Sequence, residues 1–118
     1  MKEFVLIFRN SLSPNAKPSP EQMQQVMTNW MNWMGSIAAQ NKLADKGNRL
    51  SMTEAKTVQA NNVVTDGPYT EIKEFINGYI VVKVQTIEDA IGIAKECPIL
   101  LIGGNVEVRK VVTPDDNS

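Results

Sequence analysis

The sequence predicts an α+β fold with the element order βαββαβ, and three observations carry that prediction. Residues 4–8 (Phe-Val-Leu-Ile-Phe) and 79–84 (Tyr-Ile-Val-Val-Lys-Val) put apolar side chains on both alternating faces, the pattern of central strands in a sheet. Two segments carry helix starts: Ser19-Pro20-Glu21-Gln22, and Thr86 followed by Glu88 and Asp89. Each helical segment lies between strand-like runs. The order is therefore strand, helix, a two-strand region with a hairpin, long strand, helix, strand. This is the split-βαβ or ferredoxin-like plan, with both helices on one face of an antiparallel sheet.

Taken in order, residues 4–8 are the first strand, and 10–18, with two prolines, two serines and two asparagines, are a loop. Ser19 is the N-cap of the first helix, Pro20 fits N1 and Gln22 at N3 completes a capping box. The helix is expected over 20–41. Met23, Val26, Met27, Trp30, Met34, Ile37 and Ala38 form its apolar stripe, flanked by Trp33 and Met31. Asp45-Lys46-Gly47-Asn48 reads as a turn and 49–53 as a short, irregular strand. Residues 56–60 and 63–65 read as a hairpin around Asn61-Asn62, because asparagine tolerates the positive φ of a type I′ turn. After a second turn at Asp66-Gly67-Pro68, residues 74–84 form the long strand, with Ile76, Gly78, Ile80, Val82 and Val84 on one side. Phe75, Asn77, Tyr79, Val81 and Lys83 fall on the other, and Gly78 signals a bulge or a close backbone approach. Thr86 caps the second helix, whose stripe is Ile87, Ala90, Ile91, Ala94 and Cys97, and Pro98 stops it. Residues 105–112 are the last strand and 113–118 a polar tail, leaving one domain over 1–112.

Composition narrows function mainly by exclusion. With 12 basic and 13 acidic side chains the formal charge is -1, which argues against nucleic-acid binding. One cysteine excludes an intrachain disulfide, and the absence of histidine removes Ser–His and Cys–His pairs and the usual general base near neutral pH. No cofactor and no metal is implied. No run approaches the ~20 apolar residues of a membrane span, and no targeting segment is visible, so the expected location is cytoplasmic.

Two helices cover only one face of a sheet. The other face would then carry Val5, Ile7, Tyr79 and Val81 side by side, a patch that a small monomer rarely leaves open. Face-to-face pairing of two copies as a C2 homodimer follows. Arg9, Lys83, Glu107 and Arg109 fall on the same face and would rim a polar cavity between the sheets, suited to a small anionic ligand.

The segment Asp66-Gly67-Pro68-Tyr69-Thr70-Glu71-Ile72-Lys73-Glu74, followed by Asn77-Gly78-Tyr79, resembles the motif of the DGPF family of YCII-related domains. Tyr69 stands where that motif has Phe, and Asn77 where it has the first glycine of a pair. Ser19-Pro20-Glu21-Gln22-Met23, Cys97-Pro98 and Gly103-Gly104-Asn105-Val106-Glu107-Val108-Arg109 extend the resemblance over residues 4–111. The resemblance implies a dimeric α+β barrel, found in relatives that stand alone or are associated with extracytoplasmic-function sigma factors. It also implies a His–Asp catalytic pair. The aspartate matches Asp66, but without any histidine that pair does not carry over.

The candidate residues have ordinary readings beside the functional ones. Asp66 either caps its turn by accepting N–H bonds from Tyr69 or Thr70, or serves as a general base or ligand acceptor. Arg9, Lys83 and Arg109 either form a cationic ligand site or pair with Glu107 or Glu74. Tyr79 either packs or donates its hydroxyl to a ligand, and Glu71 and Lys73 are solvated charges or a local pair. Cys97, on the apolar stripe at a helix C-terminus, reads as a buried, inert thiol. Three functions remain open: a small-molecule-binding homodimer, a lyase, isomerase or oxygenase using Asp66, and a protein-interaction module.

Overall fold

In the computed structural model, which describes residues 1–11, 19–51, 53–66 and 74–115, the apolar run at 4–8 lies inside a longer strand, β1 (Lys2–Ser11). It is followed by α1 (Pro20–Ala39), β2 (Leu43–Arg49), β3 (Lys56–Val58), β4 (Val64–Asp66), β5 (Glu74–Val84), α2 (Ile87–Ala94) and β6 (Asn105–Lys110). Short 3-10 turns occupy Ala60–Asn62 and Pro98–Ile102. Four strands pair antiparallel in the order β2-β5-β1-β6, and β3 and β4 form a two-stranded sheet of their own. The fold is α+β, in an order compatible with the ferredoxin-like plan plus an inserted hairpin. Strands β1 and β5 take the two central places, as their apolar runs require.

Local chemistry sets both helix starts. Ser19 Oγ accepts from the Gln22 backbone N–H at 3.1 Å while Gln22 Oε1 accepts from the Ser19 N–H at 2.9 Å, the reciprocal capping box. Thr86 Oγ1 accepts from the Asp89 N–H at 3.2 Å, and Glu88 and Asp89 stand in the first turn of α2.

The core lies between the helices and one face of the sheet. Phe4, Leu6 and Phe8 of β1 and Ile80, Val82 and Val84 of β5 pack under Trp33, Ile37, Ala90 and Ala94. Phe8, Trp30 and Trp33 meet edge to face, with ring centroids 4.9 to 5.9 Å apart. The buried Trp33 indole donates to the Ile93 carbonyl at 3.1 Å, tying α1 to α2.

Several elements differ from the sequence reading. The buried seam of α1 centres on Trp33 and Ile37, while Met23 and Met27 are exposed, because the two large indoles rather than the methionines orient the helix on the sheet. Ala90 and Ala94 bring α2 close to the sheet and leave Ile87 and Ile91 at its margin. The helix α1 ends at Ala39, and Asn41 takes a positive φ of 59°.

The strand expected at 49–53 comes earlier, at Leu43–Arg49, and the supposed turn Asp45–Asn48 lies within it. Its pairing with β5 shifts register twice. Gly47, at φ 64°, permits this, because a Cβ there would come within 1.6 Å of the Tyr79 carbonyl oxygen.

A register shift also separates Phe8 from Arg9 where β1 meets β5, so that Phe8 pairs Gly78 and Arg9 pairs Ile76, with Asn77 as the extra residue. The bulge turns Phe75 into the core and Ile76 outward, reversing the faces expected for that end of β5. Gly78 beside it lies so close to β2 that a Cβ would meet the Asn48 carbonyl oxygen at 2.6 Å. Both readings of that glycine hold. The hairpin forms where expected, with Asn61 and Asn62 at φ 66° and 63°, although its connection is longer than two residues and the Gln59 N–H closes it onto the Val63 carbonyl at 2.6 Å.

Candidate functional site

The face of the sheet opposite the helices carries most of the candidate residues. Cross-strand register puts Tyr79, Ile7 and Glu107 in one row and Val81, Val5 and Arg109 in the next. Directly opposed residues share a face. Val5, Ile7, Tyr79 and Val81 are half-buried there, forming an apolar centre.

At one end of this face Arg9 continues β1 beyond Ile7. Its Nη2 donates to Glu107 Oε1 at 3.1 Å, and the other oxygen of Glu107 stands 3.8 Å from Arg109 Nε. One carboxylate is thus shared between two guanidinium groups. The Arg9 side chain is 24% exposed and that of Arg109 71% exposed. Arg9 Nε is buried and has no hydrogen-bond partner among the described residues. A donor in that position is costly unless something accepts from it. Chemically the cluster is a planar donor fork with an excess positive charge, the arrangement that receives a carboxylate or a phosphate.

The other candidates lie apart from this cluster. Lys83 is opposite Glu3 at the far end of the face, six residues or roughly 20 Å along β1 from Arg9. Tyr79 is nearer, but its hydroxyl accepts a hydrogen bond from Asn48 Nδ2 at 3.1 Å on the β2 side, away from the arginines. Asn48 was not a sequence candidate, since it sits in a stretch that reads as a turn. Asp66 ends β4 in the two-stranded sheet, where its carboxylate pairs with Lys56 and its side chain is 93% exposed. Residues 67–73 of the motif, with the turn glycine and proline, Glu71, Lys73 and the N–H groups of Tyr69 and Thr70, lie outside the described residues, as does the side chain of Glu74.

Cys97 follows α2 and is 2% exposed. Burial pushes its thiol up to about 12 from an ordinary 9.0, only partly offset by a hydrogen bond from the Ile99 backbone. A thiol so held is not a nucleophile near neutral pH. Among the described residues no group of His, Cys, Asp and Glu is placed to hold a metal ion, and no helix is long and apolar enough to cross a membrane. A groove of about 420 Å³ opens at the start of β1, lined by Met1, Lys2, Glu3, Lys110, Val111 and Thr113. It lies at the opposite end of β1 from Arg9.

No curated protein matches the sequence. The family model described as YCII-related domain matches residues 4–114 of the 118. That span takes in all of the four-stranded sheet except the first two residues of β1, both helices and the Arg9–Glu107–Arg109 cluster, and the chain therefore belongs to the YCII-related domain family.

Proposed function

We propose that this protein is a small homodimer, a dimeric α+β barrel paired through the open face of its sheet, that binds a small anionic molecule at the Arg9–Glu107–Arg109 cluster. The observation that carries the reading is Arg9: a half-buried guanidinium beside an apolar strip, with one carboxylate divided between it and Arg109 and its Nε without an acceptor among the described residues. Covering Val5, Ile7, Tyr79 and Val81 supplies the hydrophobic driving force, at ~25 cal/mol per Å² before association costs. The face carries Arg9, Lys83 and Arg109 against Glu3, Asp45 and Glu107, and its positive charge is concentrated at one end, where Arg9 and Arg109 share a single carboxylate, which favours an anion there.

The reading assigns binding rather than catalysis. A carboxylate base working near neutral pH needs an apolar, dehydrated setting, and Asp66 within one chain is exposed beside Lys56. No proton transfer is therefore routed through Asp66.

The test is thermal melting of the full chain in chloride, sulfate, phosphate and short dicarboxylates at constant ionic strength, with sedimentation in parallel. The expected result is a dimer whose melting temperature rises with a divalent anion, a rise lost in Arg9→Gln. Equal response of the wild type and Arg9→Gln to every anion would overturn the binding site. A wild type that sediments at 13.1 kDa at all concentrations would overturn the pairing.

A further inference from the structure

The β3–β4 hairpin turns its apolar side outward. Lys56 pairs with Asp66 and Val58 with Val64, so these four side chains share one face of the ribbon, while Thr57 and Thr65 share the other. The threonine face is half-buried. Val58 and Val64 are 68% and 57% exposed, and Val63 beside them 50%. A two-stranded ribbon is marginal by itself in water. One that shelters its hydroxyls and shows its valines is the inverse of what a lone chain favours.

We propose that this valine face is an arm that lies across the β6 margin of the sheet face of a second copy, each copy giving and receiving one arm. The inference rests on the sheet-face pairing proposed above and deepens it. The four strands, about 4.8 Å apart, and some 20 Å of usable length give a footprint of roughly 400 Å², about half of the ~800 Å² per partner of a stable interface. Two reciprocal arms, each about 10 Å wide and about 10 Å long over its three paired residues per strand, supply about half of the remainder.

Charge fits as well. The Lys56–Asp66 pair at one end of the valines presents both signs, and the receiving margin presents Glu107 with the largely exposed Arg109. Asp66 facing the second copy's arginine, and Lys56 facing its glutamate, match opposite charges at both places. Asp66 thereby enters the arginine cluster of the other subunit, and each anion site is built from two chains.

Sedimentation velocity of the full chain over a dilution series tests this with two sets of variants. Val58→Thr with Val64→Thr keeps the shape and strand preference of the ribbon and should raise the dimer Kd at least tenfold with an unchanged circular dichroism spectrum. Asp66→Arg and Arg109→Asp should each weaken the dimer at least tenfold, and together should restore it to within about threefold of wild type. A dimer that Val81→Asp breaks, but whose Kd neither the threonine pair nor the charge reversals change, overturns the arm and leaves the sheet-face pairing standing. A wild type that stays monomeric throughout overturns both.

Discussion

Glu107 Oε1 lies 3.1 Å from Arg9 Nη2 across the β1–β6 ladder, two residue pairs off direct register, so the ion pair runs diagonally over the open sheet face. Two consequences follow from that geometry. Glu107→Gln removes the charge that compensates a half-buried arginine and should destabilise the fold by about 1 kcal/mol, lowering the melting temperature by several degrees in low salt. The same substitution frees both guanidinium groups for an external anion, so sulfate should raise the melting temperature more in Glu107→Gln than in the wild type. An equal or smaller rise would show that Glu107 does not compete for the arginines.

Gly47 and Gly35 make a controlled comparison. A Cβ on Gly47 would collide with the Tyr79 carbonyl, and its φ is positive, whereas Gly35 faces open space on α1. Gly47→Ala should cost more than 2 kcal/mol in urea unfolding and detach β2 from β5, visible as lost amide protection at Tyr79 and Ile80. Gly35→Ala should stabilise by about 0.5–1 kcal/mol, the usual difference between alanine and glycine inside a helix.

Trp33 joins both helices and the sheet. Trp33→Phe keeps much of the ring contact with Phe8 and Trp30 but leaves the Ile93 carbonyl without its indole donor. Chemical denaturation should show a loss of about 1–3 kcal/mol for phenylalanine and about 3–5 kcal/mol for alanine. A smaller loss for alanine than for phenylalanine would contradict the packing described.

The buried thiol of Cys97 makes stability fall in alkali. Its folded value is raised above the unfolded one, to about 12 from 9.0, so both states are protonated below pH 9 and the group is neutral to stability there. Between pH 9 and about 12 the unfolded chain releases the proton and the folded chain does not, and stability declines by up to about 1.4 kcal/mol per pH unit. Urea midpoints measured from pH 8 to 11 should fall more steeply for the wild type than for Cys97→Ala. Parallel slopes would refute the assignment. Thiol reagents should react with Cys97 only after unfolding.

The sequence revealed most where a local rule acts alone. Ser19 with Gln22 and Thr86 with Asp89 cap their helices through their own side chains, and Asn61 and Asn62 take the positive φ that their residue type tolerates. The two central strands were legible because a run apolar on both sides marks a strand covered on both faces, and cover is most complete in the middle of a sheet. Placement failed where a neighbour decides. Nothing local says that Trp33 outweighs Met23 and Met27 in orienting α1, or that Asp45 and Asn48 stay in a strand because Gly47 can lie against Tyr79. The reversal at Phe75 comes from one extra residue on β5, which strict alternation cannot anticipate.

The candidate site divided in the same way. Alternation along β1, β5 and β6 put Arg9, Tyr79, Lys83 and Arg109 on one face, but the distances that join Arg9 to Arg109 and set Lys83 apart depend on register. Asp66 was assigned to the neighbourhood of that cluster from its motif, whereas the chain carries it on a separate ribbon.

The uneven outer strands also bear on growth of the sheet. The rim formed by β2 is broken by two register shifts and a left-handed glycine, so its amide and carbonyl groups do not offer a straight template to an incoming chain. The opposite rim, β6, runs in unbroken register with β1. A sheet with one receptive border can be lengthened once and then stops. Fibre-like stacking, to which open sheets are prone, needs both borders, and the broken β2 rim denies it one.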